Sequence, residues 1–192
     1  ECPGQTFQAR KLLLYLRSSL AEDGEDILLE PYLKLHLKSE KEQHWRPDRY
    51  VYRSVRSMVE GELKAGQVNF SYRTDSGCRT LLRLHRSLLW LKMMLEGLSK
   101  GPDSEGRYKT CPFSLPRDAY KVALAPHHPW MLRQAAEIVF LALPDREYFL
   151  QLVCVKKQEE ATPVLRIIIQ ALSVVHTRTQ RILKKYDMLE LP

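Results

Sequence analysis

Three arginines and a tryptophan recur at helical spacing in "SGCRTLLRLHRSLLWLKMMLEG", residues 76–97. At about 100° per residue, Arg79, Arg83, Arg86 and Trp90 project near 0°, 40°, 340° and 20°, a single narrow stripe. Three guanidiniums on one face repel unless an anion sits among them. Arginine forks match phosphate oxygens bidentately, so a phosphate against Arg79 and Arg83 resolves the repulsion. Carboxylates from neighbouring helices, or a solvated surface, are the alternatives. Trp90, one turn beyond Arg86, suits either the floor beneath a ligand's polar group or a place in the core.

A second unusual spot is "APHHPW", where His127 and His128 stand between prolines just before a helical pattern. A neutral His128 at a helix start can donate or accept a hydrogen bond toward a polar ligand atom, or be satisfied within the protein. Adjacent residues point apart, so the two histidines do not make a metal pair. Trp130 belongs either in the core or at a membrane-facing edge, where indoles favour the interface.

Other chemistry is thinly supported. There is no G-x-S-x-G, no H-E-x-x-H and no glycine-rich phosphate loop among the eight glycines. No catalytic set emerges, and no cofactor or metal is called for. Cys2, Cys78, Cys111 and Cys154 include no C-x-x-C pair and read as reduced thiols, with two disulfides as the alternative in an oxidising compartment.

The chain has 192 residues, enough for one domain with a substantial core. Its 30 basic and 23 acidic residues give a net charge of +7, which favours anionic partners such as nucleic acid, phosphorylated ligands or acidic membranes. Nucleic acid is disfavoured, because the basic residues are dispersed and their one tight stripe lies on a helix too apolar for a groove. No apolar run reaches transmembrane length. The opening "ECPG" reads as a processed, trimmed or incomplete start.

The elements that must position these residues are helical. Helix patterns run through "FQARKLLLYLRSSLA", "ILLEPYLKLHLK" (boundary blurred by Pro31) and "YVYRSVRSMVEGELKAG". "SEKEQHWRPDR" reads as a loop. The arginine-bearing helix is expected to be apolar on two sides, capped by Asp75 or Ser76 and closed near Gly97, with His85, Lys92 and Glu96 as a thin polar strip. "GPDSEGRYKTCPFSLP" reads as a linker within one core. "RDAYKVALA", "WMLRQAAEIVFLAL" with Pro129 in its first turn, "PDREYFLQLVCV", and one or two helices from Thr162 follow. Seven or eight helices with short connections make an all-α fold in packed layers.

The series "ILLEPYL", "YRSVRSMVEGEL", "SGCRTLLRLHRSLLWLKMMLEG", "HHPWMLRQA", "LPDREYFL" and "TQRILKKYDMLELP" resembles the glycolipid transfer protein family, in particular its ceramide-1-phosphate branch. The resemblance covers nearly the whole chain. It implies a single lipid-binding domain, residues 7–192, folded as a two-layer all-α sandwich that takes one sphingolipid from a membrane. On that pattern Arg79 and Arg83 hold the phosphate, with Lys34 beside them and Arg86 adding field or structure. His128 meets the ceramide amide region, Trp90 underlies the head group, and Trp130 builds the site or touches the membrane. The implied protein is a non-enzymatic, cytoplasmic, monomeric carrier working peripherally on membranes.

One departure stands out. The family carries a further helix between "PY" and "YRS", bearing an aspartate and, four residues later, a lysine; here only Leu33 to Val51 separate those landmarks. Lys34 stands where the lysine is expected. The aspartate has no clear counterpart, although Glu30 lies four residues ahead of Lys34. A fold shortened by one early helix is therefore expected, and a module that binds a phosphosphingolipid without shuttling it is the alternative to a carrier.

Overall fold

The structure is a computed structural model that describes residues 9–36, 50–101, 115–143, 150 and 158–192. Among these residues there are seven α-helices and no strand. They are α1 (Ala9–Ser18), α2 (Leu29–Lys34), α3 (Val55–Lys64), α4 (Gly77–Ser99), α5 (Leu115–Ala123), α6 (Trp130–Leu141) and α7 (Gln158–Lys185), with a 3-10 turn at Ala125–His127 before α6. The expected loop at 39–49, most of the linker and nearly all of "PDREYFLQLVCV" lie outside the described residues. The chain forms two compact units, Lys11–His85 with Ala171–Pro192, and Arg86–Gln170 with the amino-terminal residues.

In the first unit, Leu12, Leu16, Ile27, Tyr32, Val55, Val59, Leu172, Val175 and Leu183 are buried. Burial of this apolar surface is the main stabilising term. Polar anchors then fix the connections. Asp26 is buried; its carboxylate accepts from the amides of Ile27 (2.8 Å) and Arg56 (3.1 Å) and from Ser54 Oγ (2.6 Å). Ser54 caps α3 with a reciprocal Ser57 contact, a capping box. The helix therefore begins at Val55, not at the Tyr50 where the sequence pattern starts. Arg178 of α7 donates to the backbone oxygens of Ala21 (3.1 Å) and Asp26 (3.4 Å), holding the turn after α1.

The end of α7 shows why "KKYDMLELP" stops a helix. Asp187 adopts φ 56°, and Met188 N donates back to Leu183 O at 2.8 Å. That is a Schellman closure with both apolar partners, Leu183 and Met188, fully buried.

The second unit packs Leu88, Met94, Leu95, Leu98, Leu115, Ala119, Tyr120, Ala161, Leu165 and Ile168 into its core. Gly97 does not end α4, which continues to Ser99. It serves close packing instead, because a Cβ there would run into the Leu115 side chain. Leu115 and Pro116, read as linker, open α5. Pro129 occupies the N-cap of α6 rather than its first turn. The last helix starts at Gln158, ahead of the expected Thr162, and is a single 28-residue element that absorbs Pro163.

Candidate functional site

Helix α4 carries all four stripe residues without interruption. Its start is built by a residue the sequence reading passed over. The Glu62 carboxylate of α3 is buried and accepts from Gly77 N (2.7 Å), Cys78 N (2.9 Å) and Tyr52 Oη (3.0 Å). An anion at a helix amino terminus satisfies otherwise orphaned amides and complements the helix dipole. Ser76 Oγ accepts from Arg79 N at 3.2 Å, so Ser76, not Asp75, is the local cap. The signal for Glu62 was present: Val55, Met58, Val59 and Glu62 fall on one helical face, and all four are buried.

Arg79 and Arg83 belong to the first unit. Arg79 is half-buried, and its Nε donates to the backbone oxygen of Pro192 at 2.9 Å. Arg83 is exposed. Lys34, in the same unit, pairs with Glu30 at 3.0 Å across one turn of α2. The pair is partly exposed and contributes at most about 1 kcal/mol.

His85 corrects the expected polar strip on α4. It is buried, stacked on His176 of α7 with centroids 4.1 Å apart, and bonded to Gln180 through Nε2. Lys92 and Glu96 do form a surface pair, at 3.5 Å. The helix buries one main stripe, Cys78, Leu81, Leu82, His85 and Leu88, while Leu84, Leu89, Leu91 and Met93 are half-buried. Cys78 is a free thiol, and burial pushes it well above the usual thiol range. The other three cysteines lie outside the described residues.

Near the end of α2, the buried hydroxyl of Tyr32 and Nε2 of His36 have no hydrogen-bond partner among the described residues, and their rings lie 5.5 Å apart. Desolvation pushes His36 down to about 4.

In the second unit, Trp90 is half-buried and its Nε1 donates to the backbone oxygen of Pro116 at 3.0 Å. The indole's single donor is thereby committed to α5, which leaves its ring surface for packing. Arg86 is half-buried one turn earlier. His128 contacts the Tyr120 hydroxyl through Nδ1 at 2.9 Å, and Tyr120 packs on Phe140 with ring centroids 5.2 Å apart. This contact fixes the imidazole's orientation. Trp130 is not a core residue: it is 66% exposed, followed by Met131 at 75% and Leu132 at 52%. No residue of α6 is buried, although the helix is predominantly apolar. Among the described residues no cluster of His, Cys, Asp and Glu could hold a metal, and no helix is long and apolar enough to cross a membrane.

These features define an all-helical protein, among its described residues, with a basic stripe on one helix and an exposed apolar helix, and comparison with known proteins specifies the class. The glycolipid transfer protein (GLTP) family profile matches residues 34–155. The ceramide-1-phosphate transfer protein of Xenopus laevis is 31% identical over 215 aligned positions, covering 98% of each chain. The chain belongs to the glycolipid transfer protein family. Its all-α fold is that of the human ceramide-1-phosphate transfer protein in complex with 12:0 ceramide-1-phosphate (TM-score 0.84, 30% identity, 97% of this chain and 100% of that one). The mouse protein in its apo form is similar, with TM-score 0.82 at 27% identity over 97% of this chain and 100% of that one. The 215 aligned positions exceed the 192 residues of this chain, so the Xenopus relative contains residues with no counterpart here.

Proposed function

We propose that this protein is a non-enzymatic sphingolipid carrier that binds ceramide-1-phosphate and moves it between membranes. The observation that carries the reading is full-length likeness, at 30% identity, to a protein crystallised with that lipid. The roles are assigned residue by residue. Arg79, Arg83 and Lys34 take the phosphate, and Arg86 adds positive field. His128 bonds the ceramide amide region through Nε2, and Trp90 offers its ring as the platform for the head group. A phosphate suits such a basic set, whereas an uncharged sugar would leave guanidiniums desolvated without compensation.

Residues 7–192 act as one lipid-binding domain; in support, the family match takes in parts of both compact units. Trp130, Met131 and Leu132 form the membrane contact, since exposed tryptophan and aliphatic side chains favour the bilayer interface. The protein works as a cytoplasmic monomer, peripheral to membranes, without cofactor and without nucleic acid.

A second reading, a sensing or scaffolding module that binds but does not shuttle, draws on the relative's extra residues. Transfer of fluorescent ceramide-1-phosphate between donor and acceptor vesicles decides between them. Protein-dependent transfer of this lipid, and not of ceramide, supports the carrier. Stoichiometric binding without transfer supports the sensor, and no binding of either lipid removes both.

A further inference from the structure

The segment after α7 turns back onto the start of the arginine-bearing helix. It leaves α7 through Asp187 in the left-handed region (φ 56°), and two apolar side chains, Met188 and Leu191, are buried along it. Tyr186 Oη donates to the Glu60 carboxylate of α3, which fixes the near end. At the far end the backbone oxygen of Pro192 accepts from Arg79 Nε at 2.9 Å, a contact between residues 113 positions apart. All of these residues lie within the first unit. Proline fixes its own φ and restricts the residue before it to extended backbone, so Leu191 and Pro192 form a stiff support for that oxygen.

The contact engages one edge of the guanidinium. Nε is taken, and no side-chain carboxylate pairs with Arg79 among the described residues. Both Nη groups remain, and they form the end-on fork that takes two phosphate oxygens at once. Arg79 is held at its other end too, where its backbone N donates to Ser76 Oγ at 3.2 Å. A long side chain fixed in this way has lost rotamer freedom before a ligand arrives, so less is lost on binding. We infer that Leu191 and Pro192 are positioning residues of the phosphate site. The buried leucine seats the segment, and the Pro192 oxygen holds Arg79 with its Nη edge ready for a lipid phosphate monoester. A competing acceptor would occupy the Nη fork itself, whereas this one takes Nε. The inference rests on the reading that Arg79 and Arg83 hold a phosphate.

Equilibrium binding of ceramide-1-phosphate to the full chain tests it, in a double-mutant cycle of Leu191→Ala with Arg79→Ala. Leu191→Ala is expected to weaken binding about threefold to tenfold when Arg79 is present, and by less than about twofold in Arg79→Ala. Leu191→Met, which nearly conserves volume, is expected to restore affinity. Melting temperatures verify the fold, and Leu191→Val takes the place of the alanine variant if that protein melts below the assay temperature. Equal weakening in both backgrounds would show that the segment acts through general stability, and would overturn the inference. Wild-type or tighter binding by Leu191→Ala overturns it as well. If Arg79→Ala and Arg83→Ala each bind the lipid as the wild type does, the phosphate site itself falls and takes the inference with it.

Discussion

Glu62 Oε1 accepts from Gly77 N at 2.7 Å, so a carboxylate of α3 anchors the first turn of the arginine-bearing helix. The same side chain holds Cys78 N and Tyr52 Oη, three donors in all. Glu62→Ala would leave the buried Cys78 amide, the half-buried Gly77 amide and the Tyr52 hydroxyl to find other partners. A loss of about 2–4 kcal/mol in urea unfolding is expected, with Glu62→Gln milder because it keeps an acceptor oxygen. An alanine variant within 0.5 kcal/mol of wild type, to order of magnitude, would show that α4 does not depend on this anchor.

His36 makes stability depend on pH. Its folded-state value is depressed to about 4 by burial, against about 6.5 in an unfolded chain. Between those values the unfolded state takes up a proton that the native state refuses, so stability falls as pH drops through this window. The loss amounts to about 3 kcal/mol and ceases below the folded value. Unfolding free energies of wild type and His36→Leu, measured from pH 7 to pH 4, should show the wild type losing stability relative to the variant as the pH falls. Parallel curves would mean that His36 titrates normally.

Trp90 ties α4 to the start of α5 through Pro116. Trp90→Phe keeps most of the ring and removes the donor, so a loss of about 1 kcal/mol is expected by thermal or urea unfolding. No change in stability would assign the indole nitrogen to solvent or ligand instead.

The all-helical class was legible because apolar residues recur at helical spacing in nearly every segment. The ends of helices were less so, since they depend on contacts between distant residues. Val55 starts α3 because Ser54 finds both Ser57 and Asp26, a partner 28 residues away. Gly97 looked like a terminator and proves to be a packing position against Leu115. The arginine stripe could be read from spacing alone. His85 could not: nothing local to α4 announces His176, whose ring lies 4.1 Å from it, or Gln180. Likewise, spacing left Trp130 between core and surface, and only the exposure of α6 removes the core alternative.

The central claim is that the α4 arginines grip a lipid phosphate, and equilibrium binding of ceramide-1-phosphate to Arg83→Ala tests it most directly. Lys64→Ala, an exposed cation on α3, is the matched loss of charge. Loss of a charge-assisted contact should weaken binding by about tenfold to a hundredfold in Arg83→Ala, with Lys64→Ala close to wild type. Equal affinity in all three proteins would contradict the account.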